Sequence, residues 1–210
     1  MSHEDPAAPP PVRVSFAVAA ARVACFFRLL QQGVRIRRRV GCPLEAFLRE
    51  EIGASRETIG RIQSIFLDGR PVDDIAAALV LDGSTLALSA ALPGLVGATL
   101  RRGGSYSSFR SGITHREGGG ACAPGTGWVT IKLFNLIMDE LGPALLRDGV
   151  LVRANDLAGL LPELPEELWH EGGRVTLEGA PIDRGGLLDA LSPRGAVPVL
   201  LEVSSGPPRC

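Results

Sequence analysis

The stretch of sequence that decides the fold is SIFLDGRPVDD, at residues 64–74. Its apolar run Ile65-Phe66-Leu67 is typical of a β-strand. Asp68-Gly69 then has the chemistry of a two-residue hairpin turn, because such a turn needs positive φ angles, which glycine adopts without strain. The stretch therefore predicts a strand, a tight turn and a returning strand. The chain continues from it to Leu-Arg-Arg-Gly-Gly at residues 100–104.

A shorter copy of this stretch occurs later in the chain. LDGRPVD at residues 67–73 matches LEGAPID at 177–183, and LLQQGVRIR at 29–37 matches LLRDGVLVR at 145–153. The two matches occur in the same order and at similar spacing, as expected for an internal repeat. The sequence therefore predicts an α+β fold made of two tandem units related by internal duplication.

We expect five segments along the chain. A proline run at residues 9–11 cannot enter a helix interior or a strand ladder, and the stretch after residue 100 has the glycine and serine content of a flexible linker. The predicted segments are a disordered lead at 1–12, a first unit at 13–100, a Gly/Ser/Arg-rich linker at 101–127, a second unit at 128–204 and a tail at 205–210.

Most elements within the two units have clear signals. A helix is predicted from Pro43 to Gly53, because apolar residues recur at helical spacing between a first-turn proline and a terminating glycine. Ser55 is expected to cap a second helix, and Asn155 or Asp156 a later one. Further strands are predicted at 34–40, 84–88, 150–152 and 197–203, and a short helix at 185–191.

Two segments leave alternatives open. Residues 14–30 fit a strand followed by a helix, or a helix throughout, since their alanines favour helix and their aromatic residues suit either. Residues 128–141 fit a helix or a strand.

The composition restricts the classes of function. The chain of 210 residues has a net charge of −1, so bulk attraction alone does not predict a polyanion-binding protein. The charge is uneven, with 15 Arg and 11 acidic residues in 1–120 against 7 basic and 12 acidic residues in 121–210. This pattern fits two units that face each other, or one unit with an anionic partner.

The four cysteines include no Cys-x-x-Cys pair. We therefore expect no zinc site, and reduced thiols in a cytoplasmic protein. Neither a signal peptide nor a membrane-spanning helix is expected, because the start of the chain lacks a basic segment and glycine and proline interrupt the apolar residues of 75–100.

The first unit resembles a ubiquitin-like β-grasp domain. The resemblance rests on a predicted hairpin at 25–40, the helix at 44–53, the strand and turn at 65–69 and the strand at 84–88. Leu-Arg-Arg-Gly-Gly at 100–104 is similar to the tails of ubiquitin-like proteins, but here it is internal. The resemblance implies two β-grasp-like units and a role in protein interaction.

A second likeness, to the S4 RNA-binding motif, covers part of the same unit and implies RNA as a partner. The sequence LDGR at 67–70 is similar to its strand turn. The residues that are similar to its two-helix part are Leu44, Leu48, Ser55-Arg56, Ile59 and Ile62.

The strongest candidate for a binding segment is 101–116, because arginine beside aromatic side chains suits base stacking and phosphate contact. A flexible linker packed on the domain explains the same composition. The arginine triplet at 37–39 likewise fits either a nucleic-acid stripe or a solvated strand face. The predicted binding residues are Arg101, Arg102, Tyr106, Phe109, Arg110 and Arg116.

No catalytic constellation stands out in the sequence. His115 and His170 are too few for a triad, and Cys122 lies among glycines as an exposed or inert thiol. Asp73-Asp74 fits a pair of catalytic carboxylates or a cap, and Gly125-Thr126-Gly127 lacks the third glycine of a dinucleotide fingerprint. We predict no catalytic residue, no metal site and no cofactor.

These observations predict a non-enzymatic, cytoplasmic binding protein, a protein-interaction module whose partner is a protein and not a membrane. The first alternative is an RNA-binding module that uses the arginine-rich face and the linker. The second is an enzyme with a site between the two units.

Overall fold

The computed structural model of the chain describes residues 10–90, 125–170 and 174–206. These residues form a mixed α and β fold, in which a helix layer packs on one face of a ten-stranded sheet. A second sheet has two short strands. None of the helices in these ranges is long and apolar enough to span a membrane.

The elements are numbered in chain order. The strands are β1 (Val12–Val18), β2 (Val34–Val40), β3 (Cys42–Pro43), β4 (Ser64–Leu67), β5 (Arg70–Pro71), β6 (Leu79–Val80), β7 (Thr85–Ser89), β8 (Gly125–Phe134), β9 (Val150–Arg153), β10 (Arg174–Leu177), β11 (Ala180–Pro181) and β12 (Pro198–Ser205). The α-helices are α1 (Phe27–Gln32), α2 (Leu44–Ala46), α3 (Arg56–Arg61), α4 (Leu136–Asp148), α5 (Ala154–Leu160), α6 (Glu167–His170) and α7 (Arg184–Leu191). A π-helix (Phe47–Glu51) follows α2, and 3₁₀ helices occupy Ala20–Phe26, Leu161–Glu163 and Ser192–Arg194.

The large sheet has the strand order β11-β10-β1-β12-β9-β2-β8-β7-β4-β5. Its centre lies between β2 and β9, where Arg35 is opposite Leu151 in an antiparallel register. We call β2, β8, β7, β4 and β5 the first half-sheet, and β9, β12, β1, β10 and β11 the second half-sheet. Outward from the centre, each consists of an antiparallel pair, a parallel pair, another antiparallel pair and an edge hairpin.

Each half-sheet contains one strand from the other end of the chain. The N-terminal strand β1 lies in the second half-sheet between β12 and β10, and β8 lies in the first half-sheet between β2 and β7. The two half-sheets differ in one respect. The next strand of the first half-sheet after its edge hairpin is β7, which lies on the outer side of the parallel pair β8–β7. The corresponding strand of the second half-sheet is β12, which lies on the inner side of the parallel pair β12–β1. Each of the predicted units, 13–100 and 128–204, therefore contributes strands to both half-sheets. Residues 125–127, predicted to be part of the linker, are the start of β8.

The hydrophobic core lies on one face of this sheet. Alternate residues of each strand share a face, and Val34 and Ile36 of β2 lie opposite Ile131 and Val129 of β8, all with at most 1% of their surface exposed. Helix α4 packs across β12, β8 and β7, so it covers strands of both half-sheets. Buried apolar residues from the two half-sheets form one continuous cluster.

The two edge hairpins confirm the turn chemistry of the sequence. Asp68 and Gly69 have φ angles of 52° and 77° between β4 and β5, and Glu178 and Gly179 have 51° and 82° between β10 and β11. Positive φ at both central residues is the turn geometry that matches the twist of paired strands. Strands β4 and β10 consequently occupy equivalent places, each next to an edge of the sheet.

Several local predictions are confirmed. Of the two alternatives left open for residues 14–30, the structure has the strand followed by helix, whereas residues 128–141, left open between helix and strand, contain both, the end of β8 and the start of α4. The Ser55 hydroxyl accepts a hydrogen bond of 3.0 Å from the Thr58 backbone N–H at the start of α3, as expected of a cap. The helix predicted from Pro43 is present as α2 and the π-helix after it.

Two local predictions are wrong. Residues 25–32 are helical, so the hairpin expected over 25–40 does not form, and the antiparallel partner of β2 is β8 instead. Helix α5 begins at Ala154 without a side-chain cap. The Asp156 carboxylate binds the Arg153 guanidinium, at 2.6 Å and 3.0 Å, instead of a backbone N–H, because a charged donor forms the stronger hydrogen bond.

Candidate functional site

The face of the sheet opposite the core is strongly cationic. Strand register places seven basic residues on it: Arg13, Arg35, Arg37, Arg39, Lys132, Arg153 and Arg174. Within the strands that the structure describes, the same register places one carboxylate there, Glu202 of β12. We call this surface the cationic face. It gives the molecule a local positive charge that the net charge of −1 conceals.

Carboxylates neutralise part of this charge. Arg13 pairs with Glu202 at 3.2 Å, and Arg39 pairs with Glu50 at 2.5 Å and with Glu51 at 3.2 Å. Hydrogen bonds from Arg49 and Arg39 lower the pKa of the Glu50 carboxyl below its usual range. These ion pairs lie in the second half-sheet and at the far end of β2, away from the middle of the cationic face.

Arg35, Arg37 and Lys132 keep their charge unpaired. In the described ranges none of the three forms an ion pair with a carboxylate. Arg35 and Arg37 are exposed on β2 and Lys132 is half-buried on the adjacent β8. Unpaired cations on neighbouring strands are available to an anionic ligand.

The arginine triplet of β2 divides between the two faces of the sheet. Arg38 lies on the helix side, where its Nε donates a hydrogen bond of 3.1 Å to the Glu51 carbonyl and its Nη2 lies 3.6 Å from an Asp148 carboxylate oxygen. Of the two alternatives for the triplet, a stripe of all three arginines on one face is therefore not what the structure has. Strand alternation instead aligns Arg35 with Arg37.

Aromatic side chains accompany the unpaired cations. The Arg35 guanidinium lies over the Trp128 ring, 5.1 Å from its centroid, in a cation–π contact. Phe66 and Phe134 lie on the same face by register, half-buried like Trp128. The Trp128 backbone N–H donates a 2.6 Å hydrogen bond to an Asp82 carboxylate oxygen, which fixes the start of β8.

A groove of about 480 Å³ lies at the centre of the cationic face, where the half-sheets meet. Arg35, Lys132 and Arg153 line it together with the hydroxyl-bearing Thr85 and Thr130. Arg153 also binds Asp156, and that hydrogen bond raises the pKa of its guanidinium above the ordinary value. The groove therefore combines three cations and two hydroxyl groups, a donor set suited to an oxyanion.

Glycine at position 33 makes room for the Lys132 and Thr130 side chains beside this groove. Gly33 has a φ of +114°, and a Cβ at this position would lie 3.1 Å from Lys132 Cε and 3.2 Å from Thr130 Cγ2. Both the backbone conformation and the close approach exclude a larger residue without strain.

All six residues predicted as binding residues from the sequence fall outside the part of the chain that the structure describes. They are Arg101, Arg102, Tyr106, Phe109, Arg110 and Arg116, and His115, Cys122 and the Leu-Arg-Arg-Gly-Gly sequence are also outside it. Asp74 caps a turn, where its carboxylate accepts hydrogen bonds of 2.9 Å and 3.2 Å from the backbone N–H groups of Ala76 and Ala77.

The Gly125-Thr126-Gly127 sequence is part of β8 and pairs with β2. A Cβ on Gly127 would lie 2.7 Å from an Asp82 carboxylate oxygen, so this glycine makes room for strand packing. Among the residues described, no group of three or more His, Cys, Asp or Glu side chains has the arrangement of a metal site.

Sequence reasoning missed Lys132, Trp128 and Arg153 as candidate residues. Strand alternation at 34–40 placed Arg35 and Arg37 on one polar face, but the partner strand β8 was ambiguous between helix and strand. Its residues could therefore not be assigned to that face. The signal that was present is the isolated lysine at position 132, the single lysine of the chain.

Comparison of the chain with protein-family models, with curated proteins and with solved structures finds no match. The site is therefore interpreted from its own chemistry.

Proposed function

We propose that this protein is a non-enzymatic binding protein whose cationic face binds single-stranded nucleic acid, with RNA as the ligand to test first. The observation that carries the proposal is the set of unpaired cations, Arg35, Arg37 and Lys132, beside the half-buried ring of Trp128. Cations neutralise phosphates, and aromatic faces stack with unpaired bases.

The shape of the surface favours a single strand over a duplex. The cations and the aromatic rings lie on one broad sheet face, so a strand crossing the sheet can place phosphates on Arg35 and Arg37 and bases on Trp128 or Phe66. In a duplex the bases are stacked on one another and are not free for side-chain rings. Base stacking on an aromatic side chain is worth about 1–3 kcal/mol.

The edges of the sheet are poorly suited to binding a protein partner as an added strand, which favours the cationic face as the binding surface. Each edge strand has two residues and ends in a proline, Pro71 in β5 and Pro181 in β11. Proline has no N–H to donate to an incoming strand, and short edges offer few pairing groups. A protein partner on the cationic face would instead be an acidic segment.

The experiment compares two adjacent arginines of β2 that lie on opposite faces. Arg37→Gln removes an unpaired cation from the cationic face, whereas Arg38→Gln removes the same chemical group from the helix side. Binding of a labelled mixed-sequence RNA of 12 nucleotides is measured at several salt concentrations. We expect wild type to bind with a strong salt dependence, and Arg37→Gln to weaken binding and reduce the log–log slope by about 0.7.

Arg38→Gln is the matched control and should leave affinity and slope unchanged. Equal effects of the two variants, or no binding of RNA or single-stranded DNA by the wild type, would contradict the proposal. Binding of an acidic polypeptide such as polyglutamate, without binding of nucleic acid, would assign the face to a protein partner instead.

We further propose that the two half-sheets are β-grasp-like units that arose by internal duplication. Support comes from equivalent hairpins at Asp68-Gly69 and Glu178-Gly179 and from equivalent positive-φ glycines, Gly33 and Gly149, before β2 and β9. Both predicted repeats of the sequence coincide with these positions. The free thiols of Cys25 and Cys42 support the proposed cytoplasmic location.

A further inference from the structure

We infer that the groove around Gly33 is a pocket for a phosphomonoester, the terminal phosphate of the bound strand. The inference rests on the proposed function, which it deepens by giving the central groove a ligand different from that of the surrounding face. It makes binding sensitive to the chemistry of the strand end.

Gly33 allows Lys132 to lie close to the backbone in this groove. Lys132 lies against Gly33 on the β8 side, with its Cε 3.1 Å from the place of a Cβ. Arg153 lines the same groove from β9, two residues beyond Leu151, which faces Arg35. Adjacent strands are about 4.8 Å apart, so β8 and β9 lie about 10 Å apart on either side of β2. With no side chain at position 33, Lys132 packs directly over the backbone there and lines the same groove as Arg153.

The charge of the groove matches a terminal phosphate better than an internal one. Lys132, Arg35 and Arg153 converge on one concave site, and Asp156 offsets part of the charge of Arg153. An internal phosphodiester carries one negative charge, whereas a phosphomonoester carries about 1.5 to 2 near neutral pH and has three acceptor oxygens. Three converging cations suit the more highly charged group.

Hydrogen-bond donors complete the match. Thr85 and Thr130 lie opposite each other on β7 and β8, and both residues line the groove. The Arg35 guanidinium lies over the Trp128 ring and forms no hydrogen bond or ion pair with the described residues, so its N–H groups are available to an oxyanion. Phosphate oxygens can therefore accept hydrogen bonds from donors on several strands.

The equivalent position in the second half-sheet lacks this chemistry. Gly149 lies against Leu200 and Glu202 of β12, with Leu200 Cδ1 3.3 Å and Glu202 Cγ 3.4 Å from the place of a Cβ. A carboxylate thus takes the place of Lys132 and would repel a phosphate. The pocket is therefore a property of the first half-sheet. It depends on Lys132 and not only on the backbone conformation that Gly33 and Gly149 share.

The experiment measures the affinity of 12-nucleotide RNAs that differ in one group, a 5′-phosphate, a 3′-phosphate or hydroxyls at both ends. We expect wild type to bind one of the phosphorylated forms about tenfold more tightly, as for an added charge-assisted contact. Lys132→Gln and Gly33→Ala should abolish that preference. Gly149→Ala, a matched glycine with a positive φ outside the groove, should retain it.

Arg37→Gln provides a second comparison, because it should weaken binding of all three RNAs by the same factor and leave the ratio unchanged. Equal affinity of wild type for the three RNAs would overturn the inference while leaving the proposed function intact. Failure to bind RNA of any kind, with binding of a nucleoside monophosphate that Lys132→Gln removes, would overturn the proposed function and show that the phosphomonoester of the pocket belongs to a free nucleotide.

Discussion

The two half-sheets share a strand framework but differ in charge at one decisive position. In the first, Lys132 on β8 lies against Gly33 and has no carboxylate partner in the described ranges. In the second, Glu202 on β12 lies against Gly149 and pairs with Arg13 at 3.2 Å. Where one half-sheet presents an unpaired cation, the other presents an ion pair that is already satisfied.

Under the proposed function, this difference confines anion binding to one half of a sheet whose two halves have the same sequence of antiparallel and parallel pairs. The backbone needs of the two halves are alike, since both use a positive-φ glycine before the central strand and a positive-φ hairpin at the edge. Side chains on the face opposite the core contribute little to packing, so they can diverge without loss of the fold. A single cation in place of a carboxylate then decides where an anion can bind.

The largest expected effect tests whether the two halves are one folding unit. Phe16 of β1 is 1% exposed, and its ring centroid lies 4.9 Å from Phe26 and 6.0 Å from Trp169. Phe16→Ala should lower the free energy of unfolding by about 3–5 kcal/mol through loss of burial and a cavity. Because the core is continuous, we expect the loss throughout the molecule.

The fluorescence of the two tryptophans reports on the unfolding of each half-sheet separately, since Trp128 lies in the first half-sheet and Trp169 packs against the second. Trp169→Phe and Trp128→Phe backgrounds each retain one fluorescence probe. Denaturant transitions in the two backgrounds should coincide, before and after Phe16→Ala. A first half-sheet that kept its midpoint while the second unfolded early would show two independent units.

A smaller effect is expected at the paired glycines. Gly33→Ala and Gly149→Ala both force a side chain onto a positive φ, +114° and +91°, and each should cost roughly 1–3 kcal/mol of stability. Thermal or chemical unfolding measures both. Similar losses of stability would show that the two glycines have the same role in the backbone of both half-sheets, although only Gly33 lies beside the proposed phosphate pocket. If Gly149→Ala left the free energy of unfolding unchanged, the two half-sheets would differ in their backbone requirements as well as in charge.

Exchange of the decisive charge should move binding between the halves. Lys132→Glu should reduce RNA affinity by about tenfold, because it removes a cation and adds a repulsive charge. Glu202→Lys should raise affinity by a smaller factor, since it frees Arg13 and adds a cation to the second half-sheet. Fluorescence anisotropy titrations at one fixed salt concentration measure both. A lower RNA affinity of Glu202→Lys would contradict this prediction and show that the Glu202 carboxylate itself contributes to RNA binding.

The sequence predicted the parts of the fold that depend on local chemistry. Strand alternation at 34–40, the Asp68-Gly69 turn and the Ser55 cap are each determined within a few residues. The exchange of β1 and β8 between half-sheets could not be predicted, because pairing between strands that are far apart in the chain leaves no local signal. The groove was missed for the same reason, since Lys132, Arg35 and Arg153 come together only through that pairing.

The smallest effect concerns an ion pair of the helix layer. Arg61 of α3 lies 2.6 Å from Glu140 of α4, while on the other side Arg28 of α1 pairs with Glu163. Hydrogen bonds from Thr58 and Arg61 lower the pKa of the Glu140 carboxyl. A carboxyl whose pKa is lowered by folding stabilises the folded state above its unfolded pKa, near 4.3, and loses that contribution as the pH falls through the folded value.

Glu140→Gln should therefore lower the melting temperature slightly at pH 7, and the difference from wild type should shrink as the pH falls below about 4. Arg28→Gln, which breaks the other pair, is the comparison. A melting temperature difference for Glu140→Gln that stayed constant from pH 7 to pH 3 would show that the carboxylate charge is not what stabilises the contact.

The placement of β1 also has a consequence for synthesis in the cell. Ser15 of β1 pairs with Glu202 of β12, 187 residues later in the chain. At translation rates of 5–20 residues per second, β1 leaves the ribosome roughly 10–40 s before its partner strand. During that time the backbone of β1 has neither of its native partner strands, β10 and β12, and unpaired strands are prone to aggregate. We expect the nascent chain to need a chaperone on its N-terminal segment, and folding to finish only after β12 has been released.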